Sequence, residues 1–590
     1  MAGPSYQTAV SLPYHEPRIV PILVLTSFLL LLNVINSALD RVLYCGLLGQ
    51  VLIGIAWGSP GAKWLSASLE ETMVQFGYLG LLVLVYQGGL HTSFQSLKAN
   101  LLLSSAVALT GIAVPIGLSY TLQELLDATP LQAFAAGAAL CSTSLGTTFT
   151  VLGSSGLSTS RLGVVLASAA MMDDVVGLVM VQVISNLGGD DFSWVTAVRP
   201  VLVSVAFATA VPLVCLCIAR PITFWLNKYR EEHPSTTLSL LLLKPQTVFF
   251  HHTLLLIGLV TAATYAGTSG LFAAYLAGAS ISWWDSELPH PPSPVRKLSP
   301  TAADVKKTGP GAEAIREPTG SQSKTDVPME SAVTAAASEA NHNSSHTTET
   351  AQHDHVPNAQ LHEQDTTGSA IYQRYYHPSV SKILQPLFFA SIGFSIPITR
   401  MFNGPIVWRG IVYAVLMAFA KLACGLWLVR FSVMPGKGTL SRSLAKVKFP
   451  SIPHLWGRSA RGAPSNPQSA TNPTLTSGAS LEARSSPSPP KPVSLHPPLI
   501  LALAMCARGE IGFLISGVAE SNGIFSASGV ASADEPSDIF LVVTWSIVLC
   551  TILGPLGVGM SVRRVKKLQE RKNRQQEGSG RDVLGVWGVD

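Results

Sequence analysis

Apolar runs about as long as a bilayer is thick recur along almost the whole chain, and little else that the sequence contains restricts its fold so strongly. Read as membrane spans, runs of roughly twenty residues give about 13 candidates. Their approximate limits are 17–37, 41–58, 72–90, 99–121, 130–153, 159–186, 195–218, 238–266, 268–284, 376–398, 404–432, 497–520 and 536–561. The ninth is short and follows its neighbour almost without a loop, the turn being supplied by Gly267, Thr268, Ser269 and Gly270. The chain is therefore read as an all-α polytopic membrane protein. Composition agrees, because only 12% of the 590 residues are charged, against about 25% in a soluble domain. The first run, from about Ile19 to Ile35, lacks a basic flank and a small-residue cleavage site, and is expected to be a retained helix.

Loop charges give the orientation. The connection after span seven (Arg220, Lys228, Arg230), that after span eleven (Lys437, Arg442, Lys446, Lys448) and the tail (Arg563, Arg564, Lys566, Lys567) are basic. The connections after spans six (Asp190, Asp191) and twelve (Glu520, Asp534, Glu535, Asp538) are acidic. With about 13 spans the basic segments share one face, so the N-terminus is expected outside and the C-terminus in the cytoplasm. The net charge of +5 then reflects topology rather than a nucleic-acid surface, and no nucleic-acid partner is expected.

These limits divide the chain. Residues 1–285 hold the first nine spans, 286–374 a polar insertion, 375–433 two further spans, 434–496 a basic insertion, 497–561 the last two spans and 562–590 a cytoplasmic tail. Both insertions are rich in Ser and Pro and too poor in apolar residues to offset their ordering entropy, so they are expected to be disordered cytoplasmic loops. The histidines His342, His346, His353, His355 and His362 read as solvated, with metal binding or pH sensing the alternative, and the Ser-Pro pairs at Ser293, Ser299, Ser486 and Ser488 are a weak signal for phosphate acceptors. The sequon at Asn343 is expected to stay unmodified. The seven cysteines (Cys45, Cys141, Cys215, Cys217, Cys424, Cys506, Cys550) lie in or beside apolar runs without metal-ligand spacing, as reduced packing residues do.

Charges inside the spans carry the function. Asp173 and Asp174 stand together in RLGVVLASAAMMDDVVGLVMVQVI, and one ionisable group at the midplane already costs roughly 2.5–3.5 kcal/mol. Two side by side point to ion or proton traffic; a structural pair neutralised by basic partners is the alternative. Neighbours on a helix lie about 100° apart, so each aspartate addresses a different surrounding. Two close carboxylates also resist joint ionisation, which lets protons compete with a cation, and hard cations prefer oxygen ligands.

Lys421 lies deep in IVYAVLMAFAKLACGLWLV, one turn before Gly425, and an aspartate of span six is its natural partner, snorkelling to an interface being the alternative. Span twelve carries Arg508-Gly509-Glu510, two charges expected to satisfy each other locally in a structural role. Span five holds Ser142, Thr143, Ser144, Thr147 and Thr148 around Gly146, a composition suited to an interrupted helix whose free carbonyls serve an ion site, a polar but intact helix being the alternative. Spans two to seven and eight to thirteen form two sets of six in opposite orientation, a weak inverted repeat.

The Asp173-Asp174 pair, the Lys421 helix, Arg508-Gly509-Glu510, LFAAYLAGASIS and QPLFFASIGFSIPI together resemble the monovalent cation:proton antiporter superfamily, second branch, with the sodium/hydrogen exchanger fold. The resemblance covers all spans but neither insertion. It implies inverted six-helix repeats with two crossing broken helices, and a homodimer with a dimerisation domain and a moving core. It also implies that Asp174 carries the ion and the proton, that Asp173 pairs with Lys421, and that Thr143 and Ser144 occupy the unwound stretch. Leu145-Gly146 stands where relatives often have proline, and Gln87-Gly88 where many have an acidic residue.

The expected function is secondary active antiport of a monovalent cation (Na⁺ first, Li⁺ or K⁺ next) against H⁺, by elevator-type alternating access in a lipid bilayer. Plasma membrane is the first expectation for its location, an endomembrane or vacuole the second. A Na⁺-coupled organic solute symporter, or a non-transporting sensor or channel on the same fold, are the alternatives. Absence of a nucleophile–base constellation or phosphate loop argues against an enzyme, and no cofactor or resident metal is expected.

Overall fold

Helices account for nearly all the regular structure in the computed structural model, which describes residues 16, 18–43, 45–92, 94–144, 160–188, 194–233, 236–242, 244–287, 366–429, 495–526, 536–575 and 584. These residues belong to one compact unit, Met1–Pro289 with Thr366–Asp590. The two polar insertions between the spans, with their histidines, Ser-Pro pairs and sequon, lie outside the described residues apart from their edges, as do Gly146, Thr147 and Thr148.

In chain order the helices are α1 (Ile19–Leu43), α2 (Gly46–Trp57), α3 (Ala67–Leu90), α4 (Phe94–Ser119), α5 (Pro130–Ala139), α6 (Arg161–Leu187) and α7 (Trp194–Val214). There follow α8 (Pro245–Ala266), α9 (Gly270–Glu287), α10 (Gln385–Phe394), α11 (Gly404–Leu422), α12 (His496–Cys506), α13 (Glu510–Ser521) and α14 (Asp538–Gln575). Nine helices among the described residues are long and apolar enough to cross a bilayer, with α12 and α13 taken as one. The protein is thus a multi-pass membrane protein. The remaining expected spans coincide with shorter helices: α2, α5, α9, and the helical stretch 368–394 that ends in α10.

Two boundaries differ from the hydropathy reading. The helix placed near 376 begins at Gly368, because GSAIYQRYY is too polar to register as apolar yet continues the helix through π-helical turns. Likewise Arg220, Lys228 and Arg230 do not sit on a loop. The chain runs on from α7 through a π-helical turn, Cys215–Ala219, into a helical extension, Arg220–Glu232.

Local chemistry explains several ends. Gly267 closes α8 in the left-handed region (φ 84°), and Thr268 N–H returns to the Ala263 carbonyl at 3.0 Å. The Ser269 carbonyl then receives Ala273 N–H at 3.2 Å, so α9 starts within the GTSG turn. A reciprocal capping box starts α5, with Gln132 N–H donating to Thr129 Oγ1 at 3.3 Å and Thr129 N–H donating to Gln132 Oε1 at 2.8 Å.

Burial sorts the helices by role. Ala133, Ala135, Ala136, Ala138 and Ala139 are all buried, and their small side chains let α5 lie close to α4 and α13. On α1, α7 and α8 the apolar side chains Leu23, Leu30, Leu202, Leu213, Phe250 and Leu254 are instead exposed, as lipid-facing residues are. Packing of α4 on α6, α11 on α4 and α14, and α12 on α14 surrounds the charged residues.

Candidate ion-binding site

Four pieces of backbone bring the charges together. Capped by Ser160, whose hydroxyl accepts Gly163 N–H at 3.1 Å, α6 carries Asp173 and Asp174 at mid-length. The last turn of α11 carries Lys421, and Gly425 in the following 3₁₀ stretch faces Pro498 and Ala502 of α12. After Ala139 the α5 helix gives way to a short irregular segment through Ser144. Finally, α12 and α13 are two halves separated by Ala507, Arg508 and Gly509.

The two interruptions meet. Ser144 N–H donates to the Ala507 carbonyl at 3.0 Å, and Thr143 Oγ1 donates to the Met505 carbonyl at 3.3 Å. Gly509 is required there by space, since a Cβ would come within 2.6 Å of Ser144 Oγ. Thr551 of α14 fixes the second break by donating to the Arg508 carbonyl at 2.8 Å.

Charge follows the helix ends. Carbonyls left free where α5 stops attract cations. Lys421 Nζ donates to the Cys141 carbonyl at 2.5 Å, and Arg508 Nη1 donates to the Cys141 and Ser142 carbonyls at 3.3 and 2.8 Å. Glu510 lies in the first turn of α13, where a negative charge is favoured.

The carboxylates have distinct partners. Asp173 Oδ2 accepts Lys421 Nζ at 2.6 Å and Thr143 Oγ1 at 2.6 Å, and among the described residues its Oδ1 has no hydrogen-bond partner. Asp174 Oδ1 accepts the Ser142 hydroxyl at 2.7 Å. Glu510 Oε2 accepts the Ser144 hydroxyl at 3.3 Å. All five charged residues are buried.

Expectation and geometry part company at Arg508. No ion pair joins it to Glu510 among the described residues, although the sequence suggested local satisfaction. The break at 507–509 sends the guanidinium back to the carbonyl end of α5, while Glu510 opens the next helix. Sequence reading also left Ser142 out of the site, though it is the residue that holds Asp174. Its hydroxyl was one of five in a polar stretch, and only the course of the irregular segment selects it. Thr143 and Ser144 contact Asp173 and Glu510 rather than Asp174. Within LFAAYLAGASIS, Tyr275 places its hydroxyl 2.9 Å from that of Thr92, and Gln87 accepts the Tyr372 hydroxyl at 2.9 Å.

Residues 24–302 match the family described as sodium/hydrogen exchanger, transmembrane. The chain is 26% identical over 236 residues to the Na⁺/H⁺-K⁺ antiporter GerN of Bacillus cereus, covering 40% of this chain and 56% of that relative. It is 29% identical over 140 residues to the high-affinity Na⁺/H⁺ antiporter NhaS3 of Synechocystis, covering 23% of this chain and 30% of that relative. The chain thus matches little more than half the length of GerN and under a third of that of NhaS3. The solved structure of the sodium proton antiporter MjNhaP1 from Methanocaldococcus jannaschii at pH 8 aligns with a TM-score of 0.49 and 12% identity, over 92% of this chain and 99% of that one.

Proposed function

We propose that this chain, which belongs to the sodium/hydrogen exchanger family, exchanges a monovalent cation for protons across a membrane, with Asp174 as the group both compete for. The family is one of transporters rather than enzymes. One observation carries the assignment to Asp174. Lys421 serves as counter-charge to Asp173, whereas among the described residues Asp174 has a serine hydroxyl and no cationic partner. An ionised carboxylate at that depth is too costly to stay uncompensated. A proton or a bound cation supplies the missing charge, and either one displaces the other.

Transport then needs the loaded site to face each side in turn. In this account the helices around Asp174 form a core that moves as a unit against a second domain, in an elevator-type cycle within a homodimer. Na⁺ is the first cation to test and K⁺ the second. The Asp173–Lys421 pair carries a further proton, which makes exchange electrogenic. The N-terminus lies outside and the C-terminus in the cytoplasm, with plasma membrane the first location to examine.

The test is dissipation of a pH gradient in proteoliposomes on adding NaCl, LiCl or KCl. Dissipation by at least one of these salts, lost in Asp174→Asn, supports exchange at this carboxylate. Well-folded intact protein that dissipates no gradient refutes it.

A further inference from the structure

Adjacency in sequence makes Asp173 and Asp174 look like one bidentate site, yet the surroundings divide the cluster differently. Asp173, Lys421 and Arg508 are each 0% exposed, whereas Asp174 and Glu510 retain 6% and 8%. The buried cluster therefore includes an aspartate of α6 and a glutamate of α13 that are not part of the Asp173–Lys421 pair. Both are held from the same short segment, Asp174 by Ser142 and Glu510 by Ser144. Those serines are two residues apart, so roughly 7 Å at most separates their Cα atoms. The missing side chain of Gly509 lets Ser144 press against the start of α13.

Among the described residues Glu510 also lacks an ion-pair partner. Arg508 directs Nη1 to the carbonyls of Cys141 and Ser142, and among the described residues its Nε and Nη2 have no hydrogen-bond partner. A structural glutamate placed two residues from a buried arginine would be expected to use it. Instead, Asp174 with Ser142 and Glu510 with Ser144 are two carboxylate–hydroxyl pairs held from one short segment, an all-oxygen set suited to a hard cation.

We propose that Glu510 is the second carboxylate of the exchange site, a direct oxygen ligand of the transported cation beside Asp174, while Asp173 serves Lys421. This rests on the reading of Asp174 as the site of exchange.

The experiment compares the intact chain with Glu510→Gln, Glu510→Asp and Asp174→Asn. It reads the KM for Na⁺, Li⁺ or K⁺ in proteoliposomes, and thermal stabilisation of the purified protein in detergent by the same salts. Loss of a charged ligand is expected to raise KM about tenfold or more in Glu510→Gln. The salt concentration for half-maximal stabilisation should rise in parallel, with partial recovery in Glu510→Asp. Folded Glu510→Gln with unchanged KM and unchanged stabilisation overturns the proposal. Should Glu510→Gln not yield folded protein, Glu510→Asp decides by the same criteria. An intact chain without exchange refutes the function proposed above, and Glu510 is then judged on stabilisation by cations alone.

Discussion

Lys421 Nζ stands 2.6 Å from Asp173 Oδ2, and neither side chain has any exposure. The ammonium also reaches the Cys141 carbonyl, so α11, α6 and the end of α5 are tied at a single atom. Removing one partner of such a pair leaves a buried charge without compensation and costs about 3–5 kcal/mol. Asp173→Asn and Lys421→Met are each expected to lower the melting temperature in detergent markedly. The double variant Asp173→Asn/Lys421→Met should melt closer to the intact chain than either single variant, since no lone charge remains.

Ser142 donates the one hydrogen bond that Asp174 accepts among the described residues, at 2.7 Å. A hydrogen bond to a charged group contributes about 1.5–3 kcal/mol. Ser142→Ala should therefore change the cation KM roughly tenfold or more, with little loss of folded protein. Size-exclusion profiles and KM measured on one preparation check this.

At Gly509 the limit is space. A Cβ there would sit 2.6 Å from Ser144 Oγ and 2.7 Å from Ser144 Cβ, beside the hydrogen bond from Ser144 N–H to the Ala507 carbonyl. Gly509→Ala is expected to separate Ser144 from Ala507 and to reduce both thermal stability and transport. Unaltered melting and transport would show that the backbone contact has slack.

Arg508 caps the carbonyl end of α5 through Cys141 and Ser142. Lysine keeps the charge but lacks the planar fork. Arg508→Lys should retain partial stability and Arg508→Ala should lose more, measured as the yield of monodisperse protein.

Competition at one carboxylate also sets the pH dependence. Above the range where Asp174 takes up its proton, cation KM should not vary with pH. Below it, KM should rise about tenfold per pH unit if one proton is displaced, and about a hundredfold if two are. Measuring KM against pH gives the coupling, and a KM flat through the whole active range would contradict competition.

Much of this arrangement is legible in the amino-acid sequence, because ionisable residues inside apolar runs are few. Asp173, Asp174, Lys421, Arg508 and Glu510 stand out on that ground, and the structure gathers all five. Their partners are less legible. A spacing of two suggested that Arg508 and Glu510 face each other, but the helix break turns one back to α5 and gives the other a new helix to start. Selection of Ser142 depends on backbone that belongs to no regular element, where periodicity gives no direction. Hydropathy likewise missed the start of the helix at Gly368, whose first turns hold Tyr372, Arg374, Tyr375 and Tyr376 in place of aliphatic residues.

Exchange at Asp174 requires that one buried carboxylate hold either a proton or a cation, and proton release on adding NaCl, LiCl or KCl to the purified protein in weakly buffered detergent solution measures this directly. Saturable release is expected for the transported cation, with half-saturation rising as pH falls, and none in Asp174→Asn. Cation binding without proton release, or undiminished release in Asp174→Asn, would contradict it.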